Sequence, residues 1–227
     1  MKKAMVVIIA AITSLILIEA SLADSGSLGF KLAPVQWREK DLFGSTQKES
    51  GMMYGPSVMF RFGNKERWSI GLEGLYGEFE DLSRADVDAI VMYNISPLLG
   101  VFANFKYSWY ELDGTDDPTI GAEVETSGFG GGVGINFEAP LGRSPFFVFA
   151  NTRIVPMKMK TDVADSDGWA LLWSMEGGLA AAFDLGLERY DISFYSALGY
   201  RYRIMRNSDF DESVSIPFLE LGFKQVF

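Results

Sequence analysis

Two-residue alternation runs through almost all of this chain after its first two dozen residues, and no other feature constrains its fold so tightly. Successive side chains of a β-strand point to opposite faces, so a period of two marks a surface between two environments. From Trp68 one phase reads Trp68, Ile70, Leu72, Gly74, Tyr76 and the other Ser69, Gly71, Glu73, Leu75, Gly77. The split returns as Val87, Ala89, Val91, Tyr93, Ile95 against Asp86, Asp88, Ile90, Met92, Asn94. It returns again as Val101, Ala103, Phe105, Tyr107, Trp109 against Phe102, Asn104, Lys106, Ser108, Tyr110. A soluble sandwich alternates too, so the period alone leaves the architecture open.

The composition of the two faces narrows it. From Trp169 to Phe183 the greasy phase carries aromatics at both ends, and from Tyr190 to Ile204 it opposes a face holding Asp191, Arg201 and Arg203. Bulky apolar residues on one face and charges on the other suit a lipid-facing wall around a polar interior, with Trp and Tyr at the headgroup levels. Phe62, Trp68, Phe183, Tyr190 and Phe227 would form one aromatic belt, and Trp109, Trp169, Tyr200 and Tyr202 the other. Links between the segments alternate in length. Those at 63–66, 96–99, 139–144 and 184–186 are short and hold Gly or Pro, as tight turns do. Those at 38–50, 112–121, 158–167 and 206–212 are longer and polar, with 80–84 a short exception. The expectation is an all-β, closed antiparallel transmembrane barrel of about ten strands, near 28–37, 51–62, 67–79, 85–95, 100–111, 123–138, 145–157, 168–183, 188–204 and 213–227, with eight strands still open.

The ends of the chain agree with export. Met1-Lys2-Lys3, the apolar run from Ala4 to Ile18 and Ser21-Leu22-Ala23 have the three parts of a signal peptide, so residues 1–23 are expected to be removed and 24–227 to form the barrel. The last strand, Phe218 to Phe227, has alternate apolar residues, Glu220 and Gly222 as a polar-x-Gly element, Phe223, and a terminal Phe227. It resembles the C-terminal assembly signal of bacterial outer-membrane β-barrels, with Gln225 departing from the usual apolar residue. That resemblance, to the broad class of small outer-membrane barrels and no narrower family, implies a Gram-negative cell-envelope membrane protein. It implies insertion by the barrel-assembly machinery, and outer-membrane lipid and lipopolysaccharide as surroundings.

Composition excludes several functions. The chain has no cysteine, hence no disulfide, lipoprotein anchor or covalent haem. A net charge of -10 argues against nucleic-acid binding. There is no histidine, the residue around which the outer-membrane barrel enzymes are built, so no enzyme is expected and no catalytic or cofactor-binding residue is assigned. The cluster Gly128, Gly130, Gly131, Gly132, Gly134 lacks the Lys-Ser/Thr ending of a phosphate loop and reads as a strand closely approached by aromatic neighbours such as Phe102 or Phe149.

The inward phase instead assembles a lumen charge network of Glu73, Asp86, Asp88, Lys106, Arg153, Glu176, Arg201 and Arg203, joined by Lys31, Arg61, Asp191, Glu220 and Lys224. Asp86 and Asp88 would pair with cations across the lumen, because an unpaired buried charge is costly. Balanced charges point to a largely filled lumen and a non-enzymatic structural or surface-interaction role; a narrow porin-like channel for ions or small solutes is the alternative. Asp162, Asp165 and Asp167 in one acidic loop are candidates for a divalent cation site.

Overall fold

The computed structural model describes residues 23–41, 46–63, 66–79, 82–112, 124–161, 166–186, 191–206 and 210–226. The signal-peptide reading, Phe227, Tyr190, Asp162 and Asp165 lie outside them, and of Asp167 only the backbone is described.

Ten strands follow one another: β1 (Ser25–Asp41), β2 (Thr46–Phe62), β3 (Trp68–Glu78), β4 (Leu82–Asn94), β5 (Leu99–Leu112), β6 (Val124–Pro140), β7 (Phe146–Thr161), β8 (Ser166–Asp184), β9 (Asp191–Arg206) and β10 (Phe210–Val226). Each pairs antiparallel with its sequence neighbours, and β10 pairs with β1 to close the barrel. Ten strands, rather than eight, are therefore settled. Seven of the ten strands run two to five residues further into the long links than the alternation predicts. A barrel wall goes on pairing beyond the apolar band, where polar residues no longer display a greasy phase.

The two phases separate as a two-faced wall requires. Phe105, Phe129, Ile135, Leu171, Leu198 and Phe223 are more than half exposed on the outer surface, while Lys106, Gly130, Ala170 and Leu172 point inward and are buried. Aromatic pairs stand at the end of the wall that carries the short turns: Trp68 with Tyr93 at 4.9 Å between ring centroids, Phe146 with Phe183 at 6.3 Å, and Phe194 with Phe223 at 5.8 Å. Gly63, Gly142 and Gly186 take positive φ at three of those turns, which L side chains rarely adopt.

Three ladders are interrupted, each at a proline, which has no N–H to donate. The β2–β3 ladder skips Pro56 opposite Gly74, and the β6–β7 ladder skips Pro156 opposite Gly131. In the closing seam, β1 and β10 pair from Ser25 with Val226 to Leu32 with Leu219, then resume at Gln36 with Ser215. On that register Pro34 faces Pro217 inside the gap.

Near the termini the same seam is tightly made. Gly29 lies opposite Gly222, and the Tyr195 side chain of β9 crosses both, occupying the space where Cβ atoms would stand. Its hydroxyl donates to Glu220 Oε1 at 2.9 Å, which also accepts from Ser57 Oγ at 2.5 Å. The polar-x-Gly element of the last strand thus has a packing role: Gly222 is the floor and Glu220 the acceptor for one tyrosine.

Candidate functional site: a two-layered lumen

Among the described residues, twelve charged side chains make up the interior network: Lys31, Arg84, Lys106, Arg153, Arg201 and Arg203 with Glu73, Asp86, Asp88, Glu176, Glu212 and Glu220. Six of each sign cancel. They fall into two adjoining clusters. In the first, Arg201 of β9 donates through Nε to Glu176 Oε2 at 2.5 Å and through both terminal nitrogens to Glu73, Nη2 reaching Oε2 at 3.0 Å. Lys31 of β1 is bonded to Glu73 and lies 3.4 Å from Glu220 Oε2, with its ammonium 4.3 Å from the centre of the Phe218 ring.

In the second cluster Asp86 and Asp88 of β4 are surrounded. Arg203 Nη1 donates to Asp86 Oδ2 at 2.6 Å, Ser108 Oγ to Oδ1 at 2.6 Å, and Lys106 Nζ stands 3.2 Å from each carboxylate. Arg153 grips Asp88 with Nη1 at 3.0 Å from Oδ1 and Nη2 at 3.1 Å from Oδ2. Arg84 joins Asp86 at 3.2 Å to Glu212 at 2.8 Å. Each aspartate is thus held by several cations, and the arginine hydrogen bonds fix geometry as well as charge.

Some of these pairs stay on one strand or between neighbours, as Arg201–Glu176 and Lys106–Asp88 do, but others join strands that are not neighbours. β9 and β4, linked by Arg203 and Asp86, stand on opposite sides of a ten-strand ring, and Arg201–Glu73, Arg84–Glu212 and Arg153–Asp88 also cross it.

A second layer sits between this network and the end of the barrel that carries the long links. In β1 Lys31 is followed inward by Ala33, Val35 and Trp37, in β7 Arg153 by Val155, Met157 and Met159, and in β9 Arg203 by Met205. With Met53, Leu75, Ala170, Leu172, Val214, Ile216 and Phe218 they form one contiguous buried cluster, in which Trp37 is 1% exposed and Val155 and Met157 are 0% exposed. The Arg84–Glu212 pair lies beside it, against the Tyr110 ring.

Arg84 and Glu212 lie in segments that read as surface links, because charge at a strand end looks solvated, and both are buried instead. The interior phase also assigned Asp191, which is exposed at the first residue of β9, and Arg61, which stands partly exposed 3.8 Å from Glu66 and 3.9 Å from Glu138. Lys224 is partly exposed. Glycines 128 to 134 accommodate Met159, Met157, Val155 and Phe102; Phe149 lies instead over Gly178. Among the described residues no group of three or more metal-ligating side chains comes together.

No protein-family model and no curated relative matches the chain. Among solved structures it is similar to the outer membrane protease OmpT from Escherichia coli, at a TM-score of 0.51 and 8% identity over 90% of this chain and 97% of that one. It also aligns with the β domain of the Bordetella autotransporter BrkA (TM-score 0.44, 14% identity, 88% of this chain and 99% of that one). Neisserial surface protein A aligns at a TM-score of 0.40 and 11% identity, over 88% of this chain and 99% of that one. The likeness to OmpT is one of fold: a closed antiparallel barrel of the outer-membrane kind.

Proposed function

We propose that the chain is an integral barrel of the bacterial outer membrane whose closed lumen serves no transport, and whose role is structural or lies in interactions at the cell surface. The carrying observation is the double closure of the lumen: an ionic layer that bridges opposite walls, and beside it an apolar layer containing residues with no exposed surface. An ion crossing would have to break paired charges and then shed water among Val155, Met157 and Leu172, an unfavourable transfer at each step. The termini and short turns belong on the periplasmic side and the longer links outside. The non-enzymatic reading is supported by the lack of histidine and by the engagement of Asp86 and Asp88 with cations.

Purified protein in planar lipid bilayers tests this reading. The expected result is no steady conductance. Regular openings abolished by Arg201→Gln or Glu176→Gln would replace it with the narrow-channel reading.

A further inference from the structure

The gap between Pro34 and Pro217 is also a place on the outer wall. An apolar notch of about 290 Å³ opens there, lined by Pro34, Gln36, Ser50, Tyr200, Ser215 and Pro217. Its position matters as much as its volume. Toward the termini the outward residues of the same strands are Leu28, Phe30, Leu32, Leu198, Leu219 and Leu221, all exposed and apolar. Toward the long links they are Gln36, Ser50, Ser213 and Ser215 on β1, β2 and β10, while β9 continues with Tyr202 and Ile204. On β1, β2 and β10 the notch therefore straddles the boundary between the apolar band and the polar rim. The Tyr200 hydroxyl marks that level, donating to Ser215 Oγ at 2.9 Å.

Two exposed cations stand directly beyond it. Arg38 follows Gln36 on the outward phase of β1, and in the β1–β2 register it lies opposite Lys48. Neither is ion-paired among the described residues, while the outward carboxylate of this region, Asp211, is engaged by Arg206 at 3.1 Å. A chain of net charge -10 thus places two cations side by side, one step above an apolar recess in its lipid-facing wall.

We propose that this notch seats an acyl chain of a phosphorylated lipid of the outer leaflet, with the lipid phosphate held by Arg38 and Lys48. The two prolines make the recess by removing donors from the seam, and the cations supply charge-assisted contacts to phosphate oxygens. The proposal rests on the outer-membrane reading, which sets the long links outside.

The test uses the full mature barrel in phosphatidylcholine nanodiscs, titrated with diphosphorylated lipid A and read by native mass spectrometry. Wild-type protein retains one lipid A. In the Arg38→Gln/Lys48→Gln double variant the apparent affinity falls by about tenfold or more, the equivalent of roughly 1.4 kcal/mol. Ser215→Trp, which fills the recess and removes no charge, has the same effect. Equal retention by wild type and the charge variant, or no retention by wild type, overturns the proposal. Heat-modifiable gel migration shows that each variant is folded, and should Ser215→Trp fail to fold the double variant, altered only at exposed side chains, decides alone. Flotation with vesicles separates the two readings: a chain that floats and shifts on the gel but holds no lipid A loses the notch alone, while one that does not float loses the membrane assignment as well.

Discussion

The two layers of the interior are held together by different physics. The ionic layer has partners fixed in pairs, so each side chain has a designated partner: Arg203 with Asp86, Arg153 with Asp88, Arg201 with Glu73 and Glu176. The apolar layer is held by shape, since Trp37, Met53, Met157, Leu172 and Met205 pack by contact. Such a layer tolerates exchange of one apolar residue for another of similar volume, whereas the ionic layer tolerates removal of a pair better than removal of one member.

The largest effect should come from breaking one member of the ionic layer. Arg201→Leu leaves Glu73 and Glu176 without their main cation and is expected to cost about 3 to 5 kcal/mol in urea unfolding of the lipid-reconstituted barrel. Restoring neutrality with Glu73→Gln and Glu176→Gln in the same chain should recover much of that loss; no recovery would show that the arginine acts by packing. Next comes Met157→Ala, which opens a cavity in the apolar layer and is expected to cost about 2 to 4 kcal/mol, while Met157→Leu should cost less than about 1.5 kcal/mol. Equal losses would mean that this layer, too, depends on specific partners.

The outer wall provides a reference. Leu198 is 66% exposed halfway along β9, and Leu198→Arg should destabilise by about 2 to 4 kcal/mol in lipid. Leu171, opposite Arg206 near the outer end of the wall, should lose only about 1 kcal/mol or less on the same change. The smallest effect sharpens the boundary between layers. Ala170→Ser puts a hydroxyl against Met157 in the apolar layer and is expected to cost about 1 kcal/mol. No measurable loss would move the edge of the ionic layer outward past β8.

The strand count was readable in the chain because lipid outside and lumen inside impose a period of two from end to end. Strand ends were less readable, for the reason that Arg84 and Glu212 illustrate: charge normally reports solvent, and in a barrel it also reports the interior. The apolar layer was hidden by the same periodicity. Alternation distinguishes two faces but does not say that one face changes character along its length, as the inward phase does at Leu172 and Met205. A signal was present: Ile154-Val155-Pro156-Met157 and Leu171-Leu172-Trp173 are apolar on both phases, as a doubly buried strand would be. The seam notch was legible too, since prolines inside strands mark missing ladder bonds, but that Pro34 meets Pro217 depends on the register of chain ends nearly two hundred residues apart.

The glycine column of β6 carries one more consequence. Side chains at Gly130 and Gly132 would run into the backbone carbonyls of Pro156 and Ile154 in β7, and β5 comes close to β7 across this strand, an approach that no other pair of non-adjacent strands makes so extensively among the described residues. Phe102, Val155, Met157 and Met159 fill the inner space beside these glycines. A methyl group at Gly130 or Gly132 would have to push β7 away from β6. The closeness of these two strands is therefore set by residues that have no side chain.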